Sequence, residues 1–276
     1  MNRLRVAVLD LYAGHPNQGM RCINELVAKF SSDFEINIDY KIFDVREKAE
    51  TPDLSYHIYI STGGPGSPVE SEGSEWEGKY FSLMDEIIAH NKFAPQEEKK
   101  HVFLICHSFQ LFCRYYELGE VCKRRSTSFG VMPVHRTKNG LKEPFFKGLA
   151  DPFWAVDSRD WQVINPRHEN IEAMGGKVLA IEKYRPHVDL DRCVMAIRFN
   201  DEIFGTQFHP EADPEGMLVY MQTDEKKANV ITQHGETKYY SMLEQLNDQD
   251  KIVLTYNTII PLFLKHAFKS LMLVNK

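Results

Sequence analysis

Short runs of β-branched and apolar residues alternate along this chain with longer stretches in which apolar positions recur every three or four residues. "RVAVLDL" is followed by "GMRCINELVAKF", then by "FEINIDYKIF" and "SYHIYIST", an order that predicts a strand, a helix and two further strands. The pattern then repeats. "WEGKYFSLMDEIIAHN" carries helix spacing, "KHVFLIC" is a strand buried on both faces, and "SFQLFCRYYEL" is the helix after it. Alternation of this kind is the rhythm of a parallel sheet built from βαβ units. From 129 to 211 the runs shorten between Gly and Pro, with strands predicted at "GKVLAIEKY", "CVMAIRF" and "EIFGTQF". From about 215 the spacing is helical again, through "YYSMLEQL" and an apolar-rich stretch that runs to Lys276. The expected architecture is an α/β three-layer sandwich with a central, mostly parallel sheet and a C-terminal helical extension.

The 276 residues allow one large domain or one domain with an extension, and the pattern divides them into a domain over 1–215 and helices over 216–276 packed on it. Apolar residues make up 43%, charged residues 26%, and the net charge is −6. That balance belongs to an ordinary globular chain and gives no electrostatic reason to expect nucleic acid or an acidic membrane as partner. The opening "MNRLRVAVLDLY" is broken by Asp10 and lacks a small-residue cleavage site, so it reads as a first strand rather than a targeting segment. The longest uncharged apolar run, "IVLTYNTIIPLFL", contains Asn257 and Pro261 and is closed by Lys265, short of the roughly 20 apolar residues a membrane span needs. The five cysteines, Cys22, Cys106, Cys113, Cys122 and Cys193, form no CxxC pair and no metal-like spacing with histidine. A reduced, cytoplasmic protein without a structural metal is expected.

Cys106 sits at the junction between a buried strand and the helix that follows it. The C-terminal edge of a parallel sheet is where open α/β folds bind ligands, and a strand–nucleophile–helix elbow exposes a reactive atom there. The helix N-terminus also favours a thiolate. Three blocks now fall into one order: "STGGPGSP" at 61–68, "LICHSFQ" at 104–110, and "GTQFHPEAD". Together they resemble the oxyanion strand, the GxCxG nucleophile elbow with its trailing Gln, and the QFHPE segment of class I glutamine amidotransferases. The resemblance covers roughly residues 1–215 and comes nearest the amidotransferase domain of GMP synthase. It implies a flavodoxin-like fold, a cysteine-dependent amidase that needs no cofactor, and contact of Gln110 with a glutamine substrate.

The residues themselves supply the roles that thiol-dependent amide hydrolysis needs. Cys106 is the expected nucleophile. His209 and Glu211, two apart, point to one side of an extended segment, and a turn at Pro210 can bring carboxylate to imidazole, giving base and orienter. The backbone N–H groups of Gly64 and His107 are the expected oxyanion donors, with Gly63 and Gly66 keeping that backbone accessible. Taken singly, each of these residues also has a plainer reading as a core thiol, a surface histidine, a solvated charge or a loop. The other four cysteines are read as inert.

The chain departs from the family pattern in two places. Leu104 and Ser108 stand where the elbow has glycines, so the neighbouring strand is expected to shift around Leu104. Ser158, Arg159 and Asp160 stand where the GMP synthase type has a Ser-His pair ahead of an Asp. Ser158 and Arg159 therefore join the substrate-binding candidates, Arg159 as a possible bidentate clamp on a carboxylate. No phosphate-binding GxxxxGK[ST] loop follows residue 215, so released ammonia would pass to a separate synthetase subunit or to solution. The C-terminal helices could instead form a homodimer surface. Two other functions fit the same residues: a catalytically weak or inactive regulatory or binding module, and a γ-glutamyl hydrolase.

Overall fold

The computed structural model describes residues 3–246 and 248–272. Its elements run β1 (Leu4–Asp10), α1 (Gly19–Asp33), β2 (Ile38–Asp44), α2 (Val45–Lys48), β3 (Ile58–Ser61), α3 (Glu75–Phe93), β4 (His101–Ile105) and α4 (His107–Tyr115). There follow β5 (Glu120–Arg136), β6 (Phe153–Ile164), α5 (His168–Ala173), β7 (Lys177–Glu182), β8 (Val194–Arg198) and β9 (Ile203–Thr206). The chain then continues in α6 (Pro214–Met221), α7 (Asp224–His234), α8 (Glu236–Leu246), α9 (Ile252–Tyr256) and α10 (Ile259–Leu271). The last four residues of the helical stretch predicted to reach Lys276 lie outside the described residues.

Among the described residues, the nine strands form one sheet in the order β2-β1-β3-β4-β9-β8-β7-β5-β6. The five from β2 to β9 pair in parallel, as the βαβ rhythm predicts. From β9 outward the pairing through β8, β7, β5 and β6 is antiparallel. The fold is the expected α/β sandwich, with the parallel order expected over most of the sheet confined to one half of it. The antiparallel half is dominated by β5 and β6, 17 and 12 residues long.

Helix placement follows from apolar spacing. In α1, Cys22, Ile23, Leu26, Val27 and Phe30 form one buried stripe, which packs with α10 against one face of the sheet. Helix α3, through Tyr80, Met84 and Ile87, and α4, through Phe109 and Phe112, cover the other face. A third, smaller cluster joins Met217, Met221, Tyr239, Met242 and Ile252 from α6, α8 and α9 to Val131 and Val156 on β5 and β6. Among the described residues, no helix is long and apolar enough to cross a membrane.

Packing also answers the question of Leu104. Strand β9 keeps an unbroken register beside β4, with Leu104 opposite Gly205, so no strand shift occurs. Room comes instead from the missing side chain. A Cβ at Gly205 would lie 3.3 Å from Leu104 Cβ, 3.0 Å from Phe199 and 2.8 Å from Phe109.

Candidate active site

Cys106 caps α4 with φ 47° and ψ −94°, a conformation that a residue with a Cβ adopts only when its surroundings enforce it. Four hydrogen bonds do so. Its N–H donates to the carbonyl of Thr206 at 2.8 Å, and its carbonyl accepts from Gln110 N–H at 3.0 Å. Ser108, at the second departure from the glycine pattern, turns its hydroxyl inward: the oxygen accepts from Ile105 N–H at 2.8 Å, and the hydroxyl reaches the Ser61 carbonyl at 2.9 Å. Serine at 108 thus fastens the elbow to β3.

The segment after β9 brings the imidazole to the thiol. His209 N–H donates to the Val156 carbonyl at 2.8 Å, and the chain then turns so that Glu211 Oε1 meets His209 Nδ1 at 2.8 Å. Glu211 is buried, and its second oxygen has no partner among the described residues. Burial alone would lower the His209 pKa, but the charges of Glu211 and Cys106 outweigh it and hold the imidazolium well above its ordinary 6.5.

Imidazole and thiol converge on Gly63. A Cβ there would lie 2.8 Å from His209 Cε1 and 3.6 Å from Cys106 Cβ, so a side chain at 63 would drive the imidazole away. At Gly64 a Cβ would come within 2.3 Å of the Leu11 carbonyl oxygen. Gly66 turns the chain with φ +89° and faces Arg46. The N–H groups of Gly64 and of His107 donate to no acceptor among the described residues. His107 presents only its backbone, since its ring is buried and is held neutral by burial, with Arg46 and Arg114 adding to the effect, its pKa near 3.

Of the expected substrate contacts, Gln110 lies one residue removed from the thiol. Its amide nitrogen donates to the Trp161 carbonyl at 3.1 Å and to Gln207 Oε1 at 3.3 Å, and the Gln207 amide lies 3.7 Å from Cys106 Sγ. Ser158 places its backbone carbonyl 4.0 Å from the same sulfur. Arg159 is turned away into the protein. It is buried, donates to Asp157 at 2.7 Å and to the Trp161 carbonyl at 3.3 Å, and lies 3.5 Å from Glu182. Its guanidinium is therefore already occupied and is not a free clamp.

Four further residues at the site have no role assigned from the sequence, although Thr62 and Gln207 lie within the blocks "STGGPGSP" and "GTQFHPEAD". Tyr12 projects its hydroxyl over Gly19, where a Cβ would lie 2.1 Å from that oxygen and 3.5 Å from Glu211 Oε1. Burial and the charges of Glu211 and Cys106 raise its pKa well above 10.0. Thr62, Arg46 and Gln207 act by hydrogen bonds across large sequence separations. A strained thiol, a carboxylate-bound imidazole and unpaired N–H groups on both sides make a site suited to attack on a carbonyl carbon.

The family model for class-I glutamine amidotransferases matches residues 24–225, and the chain belongs to that family. Its domains are in general cysteine-dependent amidohydrolases. No curated protein matches. Among solved structures, a glutamine amidotransferase from Thermotoga maritima is 14% identical with a TM-score of 0.66, each chain covered over 98% of its length. A glutamine amidotransferase from Methylobacillus flagellatus is 12% identical with a TM-score of 0.65, covering 98% of this chain and 95% of that one. The glutaminase domain of Trypanosoma brucei CTPS with bound acivicin is 13% identical with a TM-score of 0.55, over 89% of this chain and 95% of that one. At such identities the likeness concerns the fold.

Proposed function

We propose that this chain hydrolyses the side-chain amide of glutamine through a thioester on Cys106. The observation that carries the reading is the Cys106 backbone at φ 47°, with its side chain facing the same glycine, Gly63, as the His209 imidazole that Glu211 holds. In this reading the Cys106 sulfur attacks the amide carbon, and the carbonyl oxygen takes up negative charge between the N–H groups of Gly64 and His107. The His209 imidazolium gives its proton to the departing nitrogen, ammonia leaves, and the acyl group remains on sulfur. Water then attacks the thioester, His209 accepts the water proton, and glutamate departs as the thiolate reforms.

The ammonia would serve a separate synthetase subunit, as in a GMP synthase-like arrangement, in the cytoplasm. The accommodation of Leu104 by Gly205 and the use of Ser108 to brace the elbow weigh against an inactive binding module, because both departures are built into an intact turn. Release of ammonia from L-glutamine, and of p-nitroaniline from γ-glutamyl-p-nitroanilide, tests the reading. Activity abolished by Cys106→Ser at unchanged thermal stability is expected. Hydrolysis of the anilide alone would shift the substrate to γ-glutamyl amines, and activity that survives Cys106→Ser would refute the thioester.

A further inference from the structure

Thr62, the first residue beyond β3, is fully buried and uses its hydroxyl twice. The oxygen accepts the backbone N–H of Leu11 at 2.9 Å, and the hydroxyl donates to the carbonyl of Gly63 at 2.8 Å. Strand β3 lies between β1 and β4, and Leu11 directly follows β1. The Gly63 carbonyl is thereby drawn toward the β1 side. In a trans peptide the next N–H points the opposite way, so the Gly64 N–H faces the β4 side, where Cys106 tops the strand. The α-carbon that begins this peptide is the one beside the thiol, since a Cβ at Gly63 would lie 3.6 Å from Cys106 Cβ.

A Gly-Gly peptide has little steric preference between its two orientations. The flipped one would aim the Gly63 carbonyl at the sulfur and at any oxyanion formed there, and would remove the Gly64 donor. Flanking contacts do not decide the matter. Ser108 holds the Ser61 carbonyl at 2.9 Å and Arg46 holds the Pro65 carbonyl at 2.6 Å, which fix the ends of the segment but leave the plane between them free to turn. The Thr62 hydroxyl is the contact that distinguishes the two orientations. Without it, Leu11 N–H and Gly63 C=O both lose their partner in a buried place.

We infer that Thr62 is a positioning residue for the amide chemistry: its hydroxyl sets the plane of the Gly63–Gly64 peptide so that the Gly64 N–H is presented to the transition-state oxygen. This inference rests on the amidase reading of the site.

The test compares wild type, Thr62→Val and Thr62→Ser in two assays on the same preparations. One is steady-state hydrolysis of γ-glutamyl-p-nitroanilide and L-glutamine. The other is the rate at which iodoacetamide alkylates Cys106, a displacement of iodide that places no charge on a carbonyl oxygen and so reports the thiol without the oxyanion site. Loss of one oxyanion donor lowers kcat about 10²- to 10³-fold, and Thr62→Val is expected to lower it by at least about tenfold with KM and the alkylation rate within about twofold. Thr62→Ser, which keeps the hydroxyl, should recover kcat to within about threefold of wild type. Unchanged kcat in Thr62→Val overturns the inference. So does a parallel fall in kcat and alkylation, which would place the effect on the thiol or the fold, and so does a serine variant as impaired as the valine one. A wild-type chain inactive on both substrates would sink the amidase reading and this inference with it, whereas an active wild type matched by Thr62→Val would sink this inference alone.

Discussion

The two halves of the sheet use their polar groups in different ways. At the top of the parallel half, hydrogen-bonding capacity is left open: among the described residues, the N–H groups of Gly64 and His107 have no acceptor, and Glu211 Oε2 has no donor. In the antiparallel half, charges close on one another. Arg159 binds Asp157 at 2.7 Å, Arg124 binds Glu182 at 2.9 Å, and Arg185 meets the second Glu182 oxygen at 2.9 Å. Burial would raise the Asp157 pKa, but Arg159 and Ser128 hold it below its ordinary value. Buried polar groups are costly unless paired, so the ion pairs around Arg159 are read as structure and the open groups around Cys106 as a place for a substrate, although Arg136 Nε and, its ion pair with Arg185 aside, Glu182 Oε2 in the antiparallel half also lack a hydrogen-bond partner among the described residues.

The largest effect expected from this contrast falls on Glu211. Glu211→Gln should lower kcat by about 10²- to 10⁴-fold with little change in KM, because the carboxylate acts on the imidazole rather than on bound substrate. It should also move the pH profile. The raised pKa of His209 means that the imidazolium is complete below about 6.5, persists through neutral pH, and is lost only as pH rises through the raised value. Removing the Glu211 charge should bring the alkaline limb of kcat down in pH. A profile that does not move would take Glu211 out of the proton-transfer path.

Arg159 sharpens the comparison from the other side. Arg159→Met leaves Asp157 buried without its cation, a change of the kind that costs about 3–5 kcal/mol, so a large fall in the thermal unfolding midpoint is expected with KM for glutamine nearly unchanged. A higher KM at undiminished stability would instead put the guanidinium on the substrate.

The smallest effect expected is at Gly205→Ala. The added methyl would press on Phe109, Phe199 and Leu104, and overpacking of this sort costs about 1–3 kcal/mol. Unaltered stability would mean that Leu104 finds its room elsewhere.

The same division explains what the sequence made legible. Strands β1, β3 and β4 are buried on nearly every position and read as continuous apolar runs, and α1 and α4 announce themselves by spacing. Strand β5, "EVCKRRSTSFGVMPVHR", carries a cationic run and a hydroxyl run that stay largely exposed, with Arg124 and Ser128 buried within them, and Arg124 is matched by Glu182 58 residues away. Its length could not be read locally. Likewise Cys106, His209 and Glu211 stand in recognisable blocks. Thr62 also lies within such a block, "STGGPGSP", but its role, like those of Arg46 and Tyr12, follows from contacts between elements distant in the chain.

The most direct test of a reactive thiol at the elbow is the rate at which a limiting amount of iodoacetamide modifies each of the five cysteines near neutral pH, with and without L-glutamine. Burial pushes the Cys22 thiol up to about 12 and Cys193 up to about 11, and raises Cys113 well above 9.0, so these three should react slowly. Cys106 should be labelled first, glutamine should protect it, and Cys122 should show no protection. Labelling of Cys106 no faster than that of Cys22, Cys113, Cys122 or Cys193, with glutamine and γ-glutamyl compounds making no difference, would contradict the account.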